Sequence, residues 1–269
     1  MKTGLKGRAA VVSGGSKGIG KAIARALAAE GVNVALLART KADVESAAAE
    51  IAKEFGVQAH GVACDITDPE SVKAAAATIS AKPGFATLHI LVNNAAGPIT
   101  RMDRQIEWPD QEWENAVDVK MLGALRIVRE FKAFLPTDGT GRIINVAGAS
   151  GIAVWSPALI HGINNAGLIY ATGFLAADMA PSKVTVNAIV PGLVGTEFRQ
   201  EWANGLGKQA GTTAEQAVGD ICKQKGILFG RWAELEEVGD LAVFLASDRA
   251  SYITGAKIPI DGGFSVNSR

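Results

Sequence analysis

The chain has 269 residues, of which 48% are hydrophobic and 20% charged, a composition typical of a globular protein and not of a disordered one. Its 27 basic and 27 acidic side chains cancel, so no net field favours nucleic acid or an anionic membrane as a partner. No apolar run approaches the ~20 residues of a membrane span, and two distant cysteines, Cys64 and Cys222, indicate neither a disulfide framework nor a metal site, so we expect a cytoplasmic protein.

Short β-rich segments alternate with longer Ala-rich segments of helical period along the chain. In chain order, the pattern predicts strand 8–12, helix 21–30, strand 32–37, helix 43–55, strand 57–63, helix 69–80, strand 89–92, helix 111–134, strand 142–146, helix 160–179, strand 185–190, helix 235–246 and strand 257–260. This alternation predicts a Rossmann-type α/β fold, a doubly wound parallel sheet flanked by helices, in a single domain over 1–269. Residues 196–230 are more polar and irregular, which favours either a mobile substrate lid or a plain surface excursion.

A glycine-rich turn follows the first predicted strand. It reads Ser13-Gly14-Gly15-Ser16-Lys17-Gly18-Ile19-Gly20 and leads into the first predicted helix. Glycines let a backbone approach a pyrophosphate, and the start of a helix offers free N–H donors and a positive dipole end. The turn therefore predicts a dinucleotide site; the alternative is a tight strand-to-helix turn with no ligand.

The end of the second predicted strand bears on which dinucleotide is bound. An acidic residue there would accept hydrogen bonds from the adenosine ribose, but the chain reads Leu37-Ala38-Arg39-Thr40. Arg39, together with Lys17 in the glycine turn, places two cations near that ribose. This favours a 2′-phosphate, and hence NADP(H) over NAD(H), unless Arg39 is only a solvated surface side chain.

These motifs resemble those of the classical short-chain dehydrogenase/reductase family over nearly the whole chain. Ser13 stands where the family usually has Thr, Asn93-Asn94-Ala95-Ala96-Gly97 resembles its N-N-A-G motif, 191–196 its P-G-x-x-x-T segment, and Asp261-Gly262-Gly263 its D-G-G terminus. The resemblance implies a homo-oligomer, tetramer or dimer, and a cofactor site made by Gly14, Ser16, Lys17, Gly18, Ile19, Gly20, Arg39, Asp65, Ile66, Asn93, Ala95, Pro191, Gly192, Val194 and Thr196.

The family's catalytic residues, Asn, Ser, Tyr and Lys, are all replaced when its motifs are laid over this chain. Lys120 takes the place of Asn, Gly148 of Ser, His161 of Tyr and Asn165 of Lys. The interval from Gly148 to His161 is thirteen residues, as in the family's β-ketoacyl reductases, so the register needs no gap. Tyr170 lies nine residues past His161, too far along a helix to reach a nicotinamide.

The replacements form a coherent hypothesis with His161 as the general acid. Tyrosine, with a pKa of about 10, needs a cationic neighbour to work near neutrality, whereas histidine, at about 6.5, needs none. Asn165 removes the repulsion that a lysine four residues along would impose and retains a hydrogen bond for a ribose hydroxyl, while Lys120 restores a cation. The alternatives are that His161 only fills space and that Ser150 only caps a turn, instead of supplying the missing hydroxyl.

We therefore predict an NADP(H)-dependent oxidoreductase with an atypical site. It would transfer a hydride to or from a carbonyl of a small apolar molecule, and Trp155, Trp202 and Trp232 form either an apolar wall of that cleft or ordinary packing. The dienoyl-CoA reductase branch also has His at the Tyr position but keeps the Lys, so the partial likeness leaves an activated C=C open as the acceptor. The alternative function is a dinucleotide-binding pseudoenzyme, acting as a sensor or silent subunit.

Overall fold

The centre of the protein is a parallel β-sheet. In the computed structural model, which describes residues 2–97, 104–155 and 158–267, its strands are β1 (Ala9–Ser13), β2 (Asn33–Ala38), β3 (Ala59–Ala63), β4 (Ile90–Asn93), β5 (Arg142–Val146), β6 (Thr185–Pro191) and β7 (Lys257–Ile260). They pair in the order β3–β2–β1–β4–β5–β6–β7, and all these pairings are parallel. The central strands are buried along their whole length, as expected where helices cover both faces.

Helices pack on both faces of the sheet. They are α1 (Gly18–Ala29), α2 (Lys41–Phe55), α3 (Pro69–Ser80), α4 (Asp110–Val117), α5 (Gly123–Phe131), α6 (Leu159–Met179), α7 (Glu197–Ala210), α8 (Ala214–Lys225), α9 (Leu235–Ala246) and α10 (Phe264–Asn267). Ala10 and Val12 of β1 belong to a core with α1, α2 and α9, whereas Ala9 and Val11 belong to a core with α3, α5 and the end of α6. The prediction of a doubly wound Rossmann-type sheet is confirmed.

The predicted helix 111–134 is not one regular helix. The chain forms α4, then a π-helical turn over Asp118–Leu122, then α5 and a 3-10 turn over Lys132–Phe134. The π turn holds Lys120, and Gly123 directly after it packs so closely that a Cβ there would lie 2.7 Å from Ile66 Cδ1. The prediction missed the turn because a single π turn inside a long helical segment interrupts the apolar pattern only briefly, and such turns recur at functional sites.

The prediction of an irregular segment over 196–230 is also wrong, because most of it is helical. The Thr196 hydroxyl accepts a hydrogen bond from Arg199 N (3.4 Å) at the start of α7. Thr213 and Gln216 form a reciprocal capping box at the start of α8, with distances of 3.0 and 3.1 Å. The polar residues and glycines of this segment obscured its helical period, so two capped surface helices were not predicted. No helix in the described ranges is long and apolar enough to cross a membrane.

Candidate functional site

The predicted site residues gather at the carboxyl end of the sheet. The glycine turn follows β1, the 93–97 motif closes β4, His161 lies in the first turn of α6 after β5, and 191–196 follows β6. β1 and β4 are neighbours from which the chain winds in opposite directions, the switch point where such sheets bind ligands. Within the described residues, no group of three or more His, Cys, Asp or Glu side chains is placed to hold a metal ion.

The glycine turn leaves no room for side chains. Gly14 has a φ of +65°, and a Cβ there would lie 2.9 Å from Ala95 Cα. A Cβ at Gly20 would collide with the carbonyl oxygen of Gly14. The turn therefore packs directly on the residues after β4, and only glycine permits this approach.

Asn94 and Ser13 tie the glycine turn to β4. Asn94 Nδ2 donates to the carbonyl oxygens of Ser13 and Gly14, both at 3.2 Å. The Ser13 hydroxyl accepts from the backbone N–H of Asn94 (3.1 Å) and of Ala95 (3.3 Å). Ala95 was predicted from the sequence as a cofactor contact, but the anchoring role of Asn94 was missed. The place of Asn94 in the N-N-A motif is the sequence signal that could have indicated it.

The start of α1 retains free backbone donors. The residue before it, Lys17, is exposed and makes no side-chain cap, and Ser16 is partly exposed in the same turn. The first N–H groups of a helix have no intrahelical acceptor, so this end attracts an anion. Ile19 instead packs its side chain against the core and fixes the helix on the sheet.

The end of β2 carries an exposed cation. The Arg39 guanidinium makes no hydrogen bond or ion pair with the residues that the structure describes, and the hydroxyl of neighbouring Thr40 does not cap α2. Two hydrogen bonds from Thr67 lower the pKa of Asp65, and the charge of Arg39 lowers it further. Arg39 and Asp65 thus share the rim at which the adenosine end of a dinucleotide is expected, and Thr40, which sequence reasoning overlooked, adjoins them.

Two other predicted cofactor residues are largely buried. The Asn93 side chain lies inside the sheet, where its Nδ2 donates to Asn145 Oδ1 at 2.8 Å, so only its backbone faces the crevice. Ile66 is 8% exposed, and its carbonyl oxygen accepts from Arg126 Nη1 at 3.2 Å. Both residues support the floor of the site.

The segment after β6 reaches the glycine turn. Gly192 N donates to Ile260 O at 3.0 Å after Pro191, and Val194 forms a parallel bridge with Ala233. A Cβ at Gly18 would lie 3.5 Å from Thr196 Cγ2. The predicted nicotinamide segment and the predicted phosphate turn are therefore neighbours across the crevice.

His161 experiences the positive charges of two other residues. It is partly buried, and its imidazole makes no hydrogen bond to the described part of the chain. Burial, then the positive charges of Lys120 and Arg199, lower the pKa of His161 below its ordinary value. Lys120 was predicted from the sequence to lie here, whereas Arg199 was missed because it belongs to the polar segment 196–230, which shows no motif.

Lys120 extends from the π turn toward the end of β5. Its Nζ donates to the carbonyl oxygen of Val146 at 2.7 Å. Withdrawal of the ammonium group from water lowers the pKa of Lys120 to about 8. The side chain is thus mostly charged at neutral pH and lies close enough to His161 to affect its titration.

Asn165 and Ser150 form a pair beside Gly148. Asn165 Nδ2 donates to Ser150 Oγ at 3.0 Å, while Asn165 Oδ1 accepts no hydrogen bond from any described residue. A Cβ at Gly148 would lie 2.6 Å from Asn165 Nδ2, so the missing serine side chain makes room for this amide. Tyr170 is 71% exposed and packs at a tilt against Phe174.

The three tryptophans predicted to border the cleft take part in two separate aromatic contacts. Trp202 on α7 stacks on buried Trp232, with ring centroids 6.0 Å apart and planes 9° from parallel. Trp155 packs against Phe264 at 4.7 Å. Trp202 also carries the Arg199 guanidinium 5.3 Å from its ring centroid, so an aromatic surface and a cation stand side by side on α7.

Comparison with known proteins agrees with this geometry. The family model described as enoyl-(acyl carrier protein) reductase matches residues 14–265. Short-chain reductase protein NovJ of Streptomyces niveus is 35% identical over 264 residues (94% of this chain, 92% of that protein), and the 3-oxoacyl-(acyl-carrier-protein) reductase FabG of Aquifex aeolicus is 33% identical over 267 residues (98% and 99%). The solved L-sorbose reductase of Gluconobacter frateurii, complexed with NADPH and L-sorbose, superposes with a TM-score of 0.89 at 30% identity, over 98% of this chain and 99% of that one. The chain belongs to the short-chain dehydrogenase/reductase family.

Proposed function

We propose that the protein is an NADP(H)-dependent oxidoreductase that transfers a hydride to or from the carbonyl, or an activated C=C, of a small molecule. The observation that carries this proposal is the place of His161, at the register of the family's general acid and within electrostatic reach of two cations. The glycine turn after β1, the 191–196 segment after β6 and Arg39 after β2, which pairs with no described residue, lie at the same end of the sheet and support this proposal.

The cofactor residues fit NADP(H). Gly14 and Gly20 pack so closely that a Cβ at Gly20 would fill the space between them, which we call the cradle. The start of α1 offers backbone N–H donors beside it. Arg39, at the end of β2, and Lys17, in the glycine turn, are exposed cations, and the residues at the end of β2 include no acidic side chain. Two such cations suit a 2′-phosphate. The L-sorbose reductase relative is complexed with NADPH, and this supports the same choice here.

Arg39→Asp tests the cofactor choice. The new carboxylate would repel a 2′-phosphate and accept hydrogen bonds from a ribose, so the preference should shift toward NADH. The measurement is the Kd of each nucleotide by fluorescence titration, with Arg129→Asp as a control because Arg129 is exposed and pairs only with its neighbour Glu130 among described residues. Unchanged NADPH affinity in Arg39→Asp would remove Arg39 from the site.

The chemical step needs a proton at the substrate oxygen, and His161 is the group proposed to move it. When bound, the nicotinamide supplies or accepts the hydride. In reduction, the imidazolium of His161 gives its proton to the oxygen; in oxidation, the neutral imidazole takes the hydroxyl proton. Its lowered pKa makes the imidazolium a stronger acid but a rarer species at neutral pH, so reduction should accelerate as pH falls and oxidation as pH rises.

Asn165 and Lys120 are proposed to support His161. Asn165 Oδ1 has no donor from the described residues, and we assign it to a ribose hydroxyl. Lys120 stays largely protonated at neutral pH and is held by Val146 O, so it keeps a positive charge beside His161 without competing for the same proton. By lowering the pKa of His161, this charge favours the neutral imidazole that accepts a proton in oxidation and makes the imidazolium a stronger acid in reduction.

A second candidate function, a dinucleotide-binding pseudoenzyme that acts as a sensor or silent subunit, has one observation in its favour. The amide of Asn165 is tied to Ser150, so both polar groups near the lost serine bond to each other. In this reading the glycine turn still binds NADP(H), but no group completes proton transfer.

His161→Ala separates the two functions. If His161 moves the proton, kcat should fall by roughly 10²–10⁴ with an unchanged Kd for NADPH. Tyr170→Phe is the matched control because Tyr170 is on the same helix and points outward. Substrates to screen are a 3-oxoacyl thioester, a ketose and an enoyl thioester. Activity that survives His161→Ala would refute its role, and tight NADPH binding without turnover across the panel would favour the pseudoenzyme.

Two further expectations remain proposals. We propose that 196–230, the segment that contains α7 and α8, forms a lid over the substrate. The charge of Arg199 on α7 lowers the pKa of His161, which supports a position of α7 near the site. We also propose a homo-oligomer, tetramer or dimer, since Tyr170 and Phe174 leave 71% and 60% of their surface exposed on α6. Light scattering measures the oligomeric state directly.

A further inference from the structure

Arg199 carries a positive charge for which the described residues supply no counter-charge. It lies in the first turn of α7, just after the Thr196 cap. Its guanidinium lies 5.3 Å from the ring centroid of Trp202 and 5.9 Å from that of Phe198, and it makes no hydrogen bond or ion pair with the described chain. Burial lowers its pKa, but a guanidinium stays protonated at any ordinary pH. A charge partly removed from water is costly until an anion pairs with it.

The charge of Arg199 acts on the proposed proton donor. It lowers the pKa of His161, as does the charge of Lys120, and no carboxylate among the described residues raises that pKa. The substrate end of the crevice therefore carries an uncompensated positive field. Asp118, the acidic residue on the π turn of Lys120, is already paired with Arg126 at 2.7 Å.

We propose that the substrate carries a carboxylate and that Arg199 binds it, with Lys120 adding to the attraction. The inference rests on the proposed function and names its substrate class: a small oxo acid, or the corresponding hydroxy acid. The guanidinium matches a carboxylate with two parallel N–H donors. Its position over the Trp202 ring restricts the guanidinium in advance, which lowers the entropic cost of binding.

The aromatic surface beside Arg199 indicates the chemistry of the rest of the substrate. Trp202 stacks on Trp232, and Phe198 flanks the guanidinium on the same helix. Such a surface suits a short hydrocarbon part next to the carboxylate. The expectation of a purely apolar substrate is thereby changed to an amphipathic one.

The dinucleotide phosphates are the other possible source of an anion for Arg199. Thr196 lies near Gly18, so α7 begins close to the phosphate turn. The geometry favours the substrate: Trp202, which carries Arg199, stacks on Trp232, and Trp232 belongs to the same buried cluster as Ala149, the residue after Gly148. The effect of the Arg199 charge on the pKa of His161, the proposed proton donor, agrees with this placement. Separate measurements of carboxylate and nucleotide binding distinguish the two sources.

The experiment compares hexanoate with hexanamide, an uncharged probe of the same chain length. Binding is measured by calorimetry with and without NADP⁺, on the wild type, Arg199→Gln, Arg199→Lys and the control Lys208→Gln, an exposed residue of the same helix. We expect hexanoate to bind the wild type and Lys208→Gln about 10- to 100-fold more tightly than hexanamide. Arg199→Gln should reduce this preference to about twofold or less, and Arg199→Lys should restore part of it.

The inference is overturned if the wild type binds neither probe or both equally, or if Arg199→Gln keeps the full preference. It is also overturned if Arg199→Gln weakens NADPH binding instead, since Arg199 would then serve the cofactor phosphates. Failure of the proposed function is a different result, namely absent turnover or absent NADPH binding. The carboxylate preference without cofactor is measured independently of both.

Discussion

Restoring a serine at position 148 should destabilise the protein through Asn165. The backbone of Gly148 is extended (φ −178°, ψ 151°), so a serine meets no backbone strain there. Its Cβ would, however, lie 2.6 Å from Asn165 Nδ2 and 3.2 Å from Asn165 Cγ. Asn165 must turn away and lose its 3.0 Å hydrogen bond to Ser150. A lost hydrogen bond and an off-rotamer side chain together cost about 1–3 kcal/mol.

Urea unfolding of four proteins measures this coupling: wild type, Gly148→Ser, Asn165→Ala and the double variant. We expect Gly148→Ser to lower the free energy of unfolding by about 1–3 kcal/mol alone and by under about 1 kcal/mol in the Asn165→Ala background. Gly173→Ser is the control, because a Cβ at Gly173 would meet nothing within 4 Å. An equal cost of Gly148→Ser in both backgrounds would refute the reasoning.

Three other predictions concern the site and its supports. The pKa of His161 in the folded protein is lower than in the unfolded chain, so the unfolded state binds more protons as pH falls below 6.5. In urea titrations, the wild type should therefore lose more stability than His161→Gln between about pH 7 and 5. An equal loss in both proteins would contradict this. Gly20→Ala forces a Cβ onto the carbonyl of Gly14 and should raise the Kd for NADPH about tenfold or more; an unchanged Kd would show that the cradle is not used. Thr196→Ala removes the cap of α7 at a cost of about 1 kcal/mol, which hydrogen exchange should report as faster exchange in α7 with α9 unchanged; uniform exchange would contradict a local role.

The features that sequence predicted well depend on local spacing. Strands buried on both faces form continuous apolar runs, and the glycine turn lies between such a run and a helix, so both are legible without tertiary information. The assignment of His161 to the register of the general acid depends on the same kind of local spacing and stays a prediction.

The features that sequence missed depend on contacts between distant segments. The π turn around Lys120 leaves no mark on apolar periodicity. Arg199 belongs to a polar surface helix, and only the folded chain shows that its guanidinium turns inward over Trp202. The Asn165–Ser150 hydrogen bond joins a helix to the turn after β5, and the side chain absent from Gly148 permits it. These three features together define the proposed reaction centre.

The most direct test of the central claim is a fluorescence titration of the wild-type protein with NADPH and, in parallel, NADH. We expect saturable binding of both nucleotides at the glycine turn, with NADPH preferred because Arg39 and Lys17 are available to its 2′-phosphate. Binding of neither nucleotide would rule out the proposed oxidoreductase, since every proposed step at His161 depends on a nicotinamide beside it.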